Sequence, residues 1–330
     1  MQQHFLLSHH FSRYVALALW MACVGVLASC GKDSEPVSPG RPSGWVFQES
    51  GTTRSLFGVS FTDENTGTVV GGWGTILRTA NGGETWVNQP SGTTEALYGV
   101  CFTDENTGTA VGTAGTILRT TDGGTTWVPQ SSGVTGYLLD VEFVDSDIGV
   151  VVGQGGTILR TINGCSTWSA QSSGTTVYLR CVSLIDHDFG MVAGDGTVLR
   201  TTDGGIIWAA ISDSSFGGSG IYFVDPDTGT VVGPNIIRTN DGGATWTKQR
   251  GGGGIGFNDV FFTDVNTGTV VSIGDIYRTI DGGDRWVQVS PWELISYSGV
   301  FFTGHDTGTV VGERGTILRT TTGGGLRHEE

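Results

Sequence analysis

A unit of about 40 residues is written seven times along this chain. The arginine of the phrase GTILRT recurs at Arg78, Arg119, Arg160, Arg200, Arg238, Arg278 and Arg319, with spacings of 41, 41, 40, 38, 40 and 41. Behind each of the first six comes a turn of the form T-x-[D/N]-G-G/C-x-x-W, ending at Trp86, Trp127, Trp168, Trp208, Trp246 and Trp286. Self-similarity at this period in Gly-rich, helix-poor sequence means radial or solenoid architecture, because one unit cannot bury its apolar face alone.

The two ends of the array choose between those geometries. The seventh unit stops at Thr320-Thr321-Thr322-Gly323-Gly324 and lacks its tryptophan strand. That strand stands at the other end, where Gly44-Trp45-Val46-Phe47-Gln48-Glu49-Ser50-Gly51 reads like Thr85-Trp86-Val87-Asn88-Gln89-Pro90-Ser91-Gly92. A displaced strand that completes the last sheet closes a ring and removes two exposed edges. An open solenoid has no use for it. The expectation is an all-β, seven-bladed propeller of four-stranded antiparallel blades.

The second repeat names the strands: A over Leu97–Phe102, B over Gly108–Gly112, C over Thr116–Thr120 and D over Thr126–Gln130. These are short β-branched runs cut by Gly, Asn, Asp and Ser. No segment after residue 43 sustains a 3.6-residue apolar period, so almost no helix is expected. The predicted organisation is a signal peptide over 1–29, a lipidated cysteine and flexible tether over 30–43, the propeller over 44–324 and a tail over 325–330.

Charge narrows the partners. Thirty-two acids against 17 bases give a net charge of −15, and two of the bases are lysines. That balance argues against nucleic acid and against anionic membrane surfaces as partners.

Near the N-terminus, Arg13 precedes an apolar run from Tyr14 to Leu27, too short to span a bilayer comfortably and of signal-peptide type. It ends in Leu27-Ala28-Ser29-Cys30, which resembles the lipobox of bacterial lipoproteins. The resemblance implies that Cys30 is lipidated and becomes the new N-terminus. Gly31 follows in place of the aspartate associated with inner-membrane retention. The expected location is therefore the bacterial cell envelope, at the outer membrane where the cell has one. Residues 31–43 are rich in Pro, Ser and charge and read as a tether. Of the remaining cysteines, Cys101, Cys165 and Cys181 fall on different blades or opposite faces and are read as unpaired packing residues, with no metal spacing. No metal and no cofactor are expected.

The turn between C and D, as in Thr120-Thr121-Asp122-Gly123-Gly124-Thr125-Thr126-Trp127, resembles the Asp-box of BNR-type propellers. Its residues are Asn81, Asp122, Asn163, Asp203, Asp241 and Asp281. The side-chain oxygen accepts N–H groups of its own turn, the glycines supply positive φ and the Trp covers the sheet core. Asp-boxes occur on enzymes and non-enzymes alike, so they report fold rather than activity.

The whole unit, F-x-D-x-x-x-G-x-x-V-G-x-x-G-x-I-L-R-T-x-D-G-G-x-T-W, resembles the photosystem II assembly and stability factor family. Those are lumenal or periplasmic seven-bladed propellers with relatives across bacteria. The resemblance covers residues 44–324 and all seven blades. It implies a non-catalytic scaffold that helps assemble or stabilise membrane complexes. The chain departs where that family commonly has an aromatic after the A–B glycine, since Thr68, Thr109, Thr230, Thr269 and Thr309 stand there.

Two further patterns have bland and sharp readings. The A–B turns, such as Asp63-Glu64-Asn65-Thr66-Gly67, have a calcium-loop look but lack the distant bidentate Glu, which favours hydrogen-bonded Asx turns. The seven arginines are spread one per blade and cannot converge on one carboxylate. Pairing with box or hairpin acids is the expected role, with an anion- or partner-binding belt as the alternative.

Positions that differ between repeats are free to specialise. On the face formed by the D–A and B–C loops, the entry to strand A reads Phe57, Tyr98, Leu139, Arg180, Ser219, Asn258 and Ser298 around the ring. Exposed aromatics with arginine nearby mark binding hot spots, and the candidates are Trp73, Arg180, Trp292, Tyr297 and Arg314. A protein partner in or at the membrane, docked on this face of a monomer, is the expected function. The alternative is a carbohydrate-active, sialidase-like glycosidase or a glycan-binding propeller. A sialidase would need a Tyr activated by a Glu, an acidic Asp and three converging arginines. No such constellation is visible, and no catalytic residue is assigned.

Overall fold

The computed structural model describes residues 44–211, 217–251, 256–291 and 293–325. The proposed signal peptide, Cys30 and its tether, Trp292 and residues 326–330 lie outside the described residues. Seven four-stranded antiparallel sheets follow one another, each running A-B-C-D from the axis outward. Blade 2 is built from Leu97–Phe102, Gly108–Gly112, Ile117–Thr120 and Val128–Gln130. Helix among the described residues is limited to three-residue 3₁₀ turns. Strand D begins two residues later than its sequence pattern predicts. The Thr126 N–H donates to Asp122 Oδ1 at 2.8 Å and is therefore not free for the ladder.

Blade 7 contains Tyr297–Phe302, Thr307–Gly312 and Ile317–Thr321, and its outer strand is Trp45–Gln48. The register runs Trp45 opposite Thr320, Val46 opposite Arg319, Phe47 opposite Leu318 and Gln48 opposite Ile317. Trp45 meets Phe302 edge to face at 6.1 Å, as Trp127 meets Phe102 at 5.9 Å inside blade 2. The displaced strand thus fills the place a box tryptophan fills elsewhere, and the ring is closed.

The core lies between blades. Val70 and Ile76 of blade 1 pack with Leu97, Val100, Phe102, Leu118 and Trp127 of blade 2. The strand-B glycine is set by this packing: a Cβ on Gly108 would sit 2.5 Å from the Phe102 ring.

The boxes close as expected. Thr120 Oγ1 donates to Asp122 Oδ1 at 2.9 Å and accepts the Gly124 N–H at 2.9 Å. Asn81 and Asn163 accept the N–H of Thr85 and Thr167 at 3.0 and 2.9 Å through the same oxygen. Asp203, Asp241 and Asp281 do so for Ile207, Thr245 and Arg285. The A–B turns are Asx turns, with Asp63 Oδ1 accepting from Asn65 and Thr66. Cys101, Cys165 and Cys181 are free thiols.

The arginines correct the sequence expectation. Arg119 donates to Thr109 Oγ1 at 2.8 Å and to the Ser146 carbonyl of the next blade at 2.9 Å, and its guanidinium lies 5.2 Å from the Phe143 ring. Arg78, Arg238, Arg278 and Arg319 repeat this clamp on Glu105, Val265, His305 and Glu64 carbonyls. Their partners are carbonyls, hydroxyls and rings, not box or hairpin carboxylates. The threonines that depart from the family pattern pair across the ladder with these arginines and hold them. Blades 3 and 4 carry Val150 and Met191 there, and Arg160 and Arg200 bond instead to the box carbonyls of Gly204 and Gly242. Arg119, Arg238, Arg278 and Arg319 are buried, which removes them as an anion-binding surface.

Candidate functional site

Strand A carries a bulge at its second residue in six blades. In blade 1, Leu56 faces Gly71 and Gly58 faces Val70, so Phe57 is left over. The same shift leaves over Tyr98, Leu139, Arg180, Asn258 and Ser298. A bulge frees a side chain from the pleat and re-aims it. These residues form a collar at the starts of the inner strands, on the D–A/B–C face. Blade 5 starts its strand at Gly220, next to exposed Ser219.

The collar is two-sided. Phe57 and Tyr98 stack at 5.2 Å beside Leu139. Arg180 follows, paired with Asp195 at 2.6 Å, both about half exposed, with its guanidinium 5.7 Å from the Tyr178 ring. Asn258 and Ser298 complete the polar side, and Asn258 Nδ2 donates to the Tyr297 carbonyl at 2.6 Å. Outside the collar, Trp73, Tyr137, Ile273 and Leu294 are exposed, Trp73 by 68%.

Of the five candidates, Trp73, Arg180 and Arg314 lie exposed on this face. Trp292 lies outside the described residues. Tyr297 is 0% exposed and is no surface contact. It is the first residue of strand A, the register of buried Leu56, Leu97 and Leu138, while the bulge presents its neighbour Ser298.

Sequence reading overlooked the axial channel, a cavity of about 290 Å³ lined by strand A of all seven blades. Asp140 accepts the Val141 and Val182 N–H groups at 2.8 and 3.0 Å, and Glu142 accepts Leu184 N–H at 2.8 Å. Asp259 accepts Val260 and Val300 N–H at 2.8 and 2.9 Å. An inner strand has a free edge toward the axis, and these side chains satisfy N–H groups on the edge of the next blade. Ser60 and Ser183 do the same for Phe102 and Phe223. At the register of Ser60 and Glu142, blades 5 to 7 carry Tyr222, Phe261 and Phe301, whose rings stack at 4.6 and 4.9 Å. The available signal was a pair of acids inside the apolar run Leu138-Leu139-Asp140-Val141-Glu142-Phe143, at positions where most other repeats have Gly, Ser, Cys or an aromatic and one repeats the acid as Asp259.

Burial in the channel raises Asp140 and Asp259 to about 7 and Glu142 to about 8, against the N–H bonds that pull the other way. A carboxyl raised in the folded state stabilises the fold below its unfolded pKa, and that contribution is lost as pH rises through the folded value. Turn acids act oppositely: the Asn65 N–H lowers Asp63 and the Thr126 hydroxyl lowers Asp122, so their contribution is lost as pH falls below about 4. The melting temperature is therefore expected to fall between about pH 5 and pH 8, more gently in Asp140→Asn/Asp259→Asn. A flat wild-type profile over that range in scanning calorimetry contradicts this account of the channel.

Residues 130–218 match the family model described as "Photosynthesis system II assembly factor YCF48". YCF48 bound to a D1 peptide is similar in fold, with a TM-score of 0.72 and 22% identity over 88% of this chain and 100% of that one. YCF48 from Cyanidioschyzon merolae gives 0.68 and 23%, over 84% and 98%. The WD40 repeats of RRP9 give 0.70 at 9% identity, over 84% and 96%, so the outline is shared with a chain of very different sequence. No curated protein matches the sequence significantly. The chain is thus a closed seven-bladed β-propeller, similar in fold to YCF48 and matched over residues 130–218 by the YCF48 family model.

Proposed function

We propose that the protein is a membrane-tethered, non-catalytic binding propeller that docks a protein partner on its D–A/B–C face, in the manner of an assembly factor. The observation that carries this reading is the collar of bulged residues, aromatic on one side and polar on the other, ringed by exposed Trp73, Tyr137, Ile273 and Leu294. Aromatic anchors set among polar groups are what a protein interface uses. A similar propeller holds a D1 peptide, which supports a peptide or protein as the ligand here.

Chain geometry favours the same face. Trp45 pairs with Thr320, and Gly44 lies against Thr322 and Gly325, beside the box turn of blade 7. Gly44, the first described residue, therefore stands at the box face, on the far side of the ring from the loop face. Lipidation of Cys30 would confine the protein to an envelope membrane, the outer one where present, and two or three acyl chains suffice for stable anchoring.

Capture of a partner from the protein's own membranes tests the proposal. Wild type should partition with membranes and retain a partner, Cys30→Ala should be released or unprocessed, and Tyr98→Ala/Arg180→Ala should lose the partner without a change in folding. Turnover of a sialoside or glucan by the purified protein, abolished by one loop carboxylate substitution, would overturn it.

A further inference from the structure

The B–C hairpin turns through a residue in the left-handed region in six of the seven blades, blade 5 being the exception. Blade 3 uses Gly155 (φ 69°) and blade 2 uses Ala114 (φ 54°). Blades 7 and 1, neighbours across the closure of the ring, use Arg314 and Trp73, both at φ 59°. Glycine occupies that conformation without strain, and a large L side chain does not. Nothing in the fold repays the strain: Trp73 is 68% exposed, and exposed Arg314 makes no hydrogen bond or ion pair among the described residues. Strain kept at exposed positions is a mark of function.

Between them stands Arg54, on the loop from the closing strand to blade 1. Its Nη1 donates to the Trp73 carbonyl at 3.2 Å, and no carboxylate pairs with it among the described residues. Arg54 and Arg314 line one groove of about 880 Å³ along the seam, with Thr53 and Asn88 as polar walls and Phe47 and Trp86 as apolar ones. Glu49 is the acid that shares this groove. In a chain of net charge −15, two guanidiniums that share a groove with a single acid and make no ion pair among the described residues call for an anionic ligand. Glu95, Asp195, Asp275 and Glu293 stand elsewhere on the same face, Glu313 directly precedes Arg314, and together these acids oppose an anionic membrane surface.

We propose that the seam between blades 7 and 1 is the anchor point of the loop face, and that it takes an acidic, extended segment of a protein. Carboxylates of the segment meet Arg54 and Arg314, and a flanking apolar side chain lies against Trp73. This rests on the loop-face reading of function and narrows it to one place and one chemistry.

The test is to pan a displayed library of random peptides against the full-length protein. Wild type should select peptides rich in Asp and Glu with an aromatic or aliphatic neighbour, and salt should weaken their binding. Arg314→Gly, Trp73→Gly and Arg54→Ala should each weaken the selected peptides about tenfold or more. The two glycine variants should melt at or above the wild-type temperature, because the left-handed turn relaxes. A merely structural role predicts unchanged binding. Selection of non-acidic peptides, equal binding by the variants, or preferential binding of the wild type to anionic phosphatidylglycerol vesicles would overturn the proposal. Loss of the selected peptides only in Tyr98→Ala/Arg180→Ala would overturn the seam and leave the loop face standing. Indifference to every loop-face variant would overturn both.

Discussion

Removal of residues 44–50 should destabilise the ring by about 5 kcal/mol or more, lowering the melting temperature by roughly 10 °C or more. The strand contributes four ladder positions to Ile317–Thr321 and a tryptophan that is 5% exposed. Trp45 packs with Val271 and Val289 of blade 6 as well as Phe302 and Leu318 of blade 7, so its loss opens two sheets. Trp45→Ala alone should cost about 3–5 kcal/mol, the usual range for a buried aromatic. The truncation does more because it leaves an unpaired edge on the third strand of blade 7, open to association between molecules. Calorimetry with light scattering reads both effects. Unchanged melting of the truncated chain would mean that the ring does not depend on this strand.

The second large effect is expected at Arg278, which is 2% exposed. It donates to Thr269 Oγ1 at 2.9 Å and to the His305 carbonyl of the next blade, and it lies 4.9 Å from the Phe302 ring. Arg278→Ala removes two charge-assisted bonds, strands a carbonyl and opens a cavity, a loss of about 3 kcal/mol. Arg278→Lys should recover little, since an ammonium cannot reproduce the planar fork or its stacking on the ring. Arg200 is the internal control. It is exposed, faces Met191 across the ladder, and bonds to one carbonyl at 3.2 Å, so Arg200→Ala should cost about 1 kcal/mol or less. Equal unfolding energies for the two alanine variants in urea would refute the clamp.

Legibility in the sequence followed physical cause. The blade count and the closing strand were readable because each repeat solves one packing problem, the Phe of strand A against the Trp after the box, and Trp45 visibly lacked a sheet of its own. The boxes were readable because their hydrogen bonds are local, within four residues. The arginine partners were not, because a guanidinium that looks ready for a carboxylate is met by a carbonyl 27 residues on, in another blade. Tyr297 was misplaced because one bulge decides which of two adjacent residues faces out. The channel acids escaped notice because the N–H groups they serve lie about 42 residues away. Strain at Trp73 and Arg314 lies in the backbone, which residue types alone do not reveal.

The central claim is that the loop face, and not the box face, is the working surface. Hydrogen–deuterium exchange on the protein bound to its captured partner tests it most directly. The account predicts slowed exchange in the D–A and B–C loops and at the strand-A starts, centred on residues 49–57, 72–75 and 313–316, with the A–B turns and Asp-boxes unchanged. Protection confined to the A–B turns and boxes would contradict it.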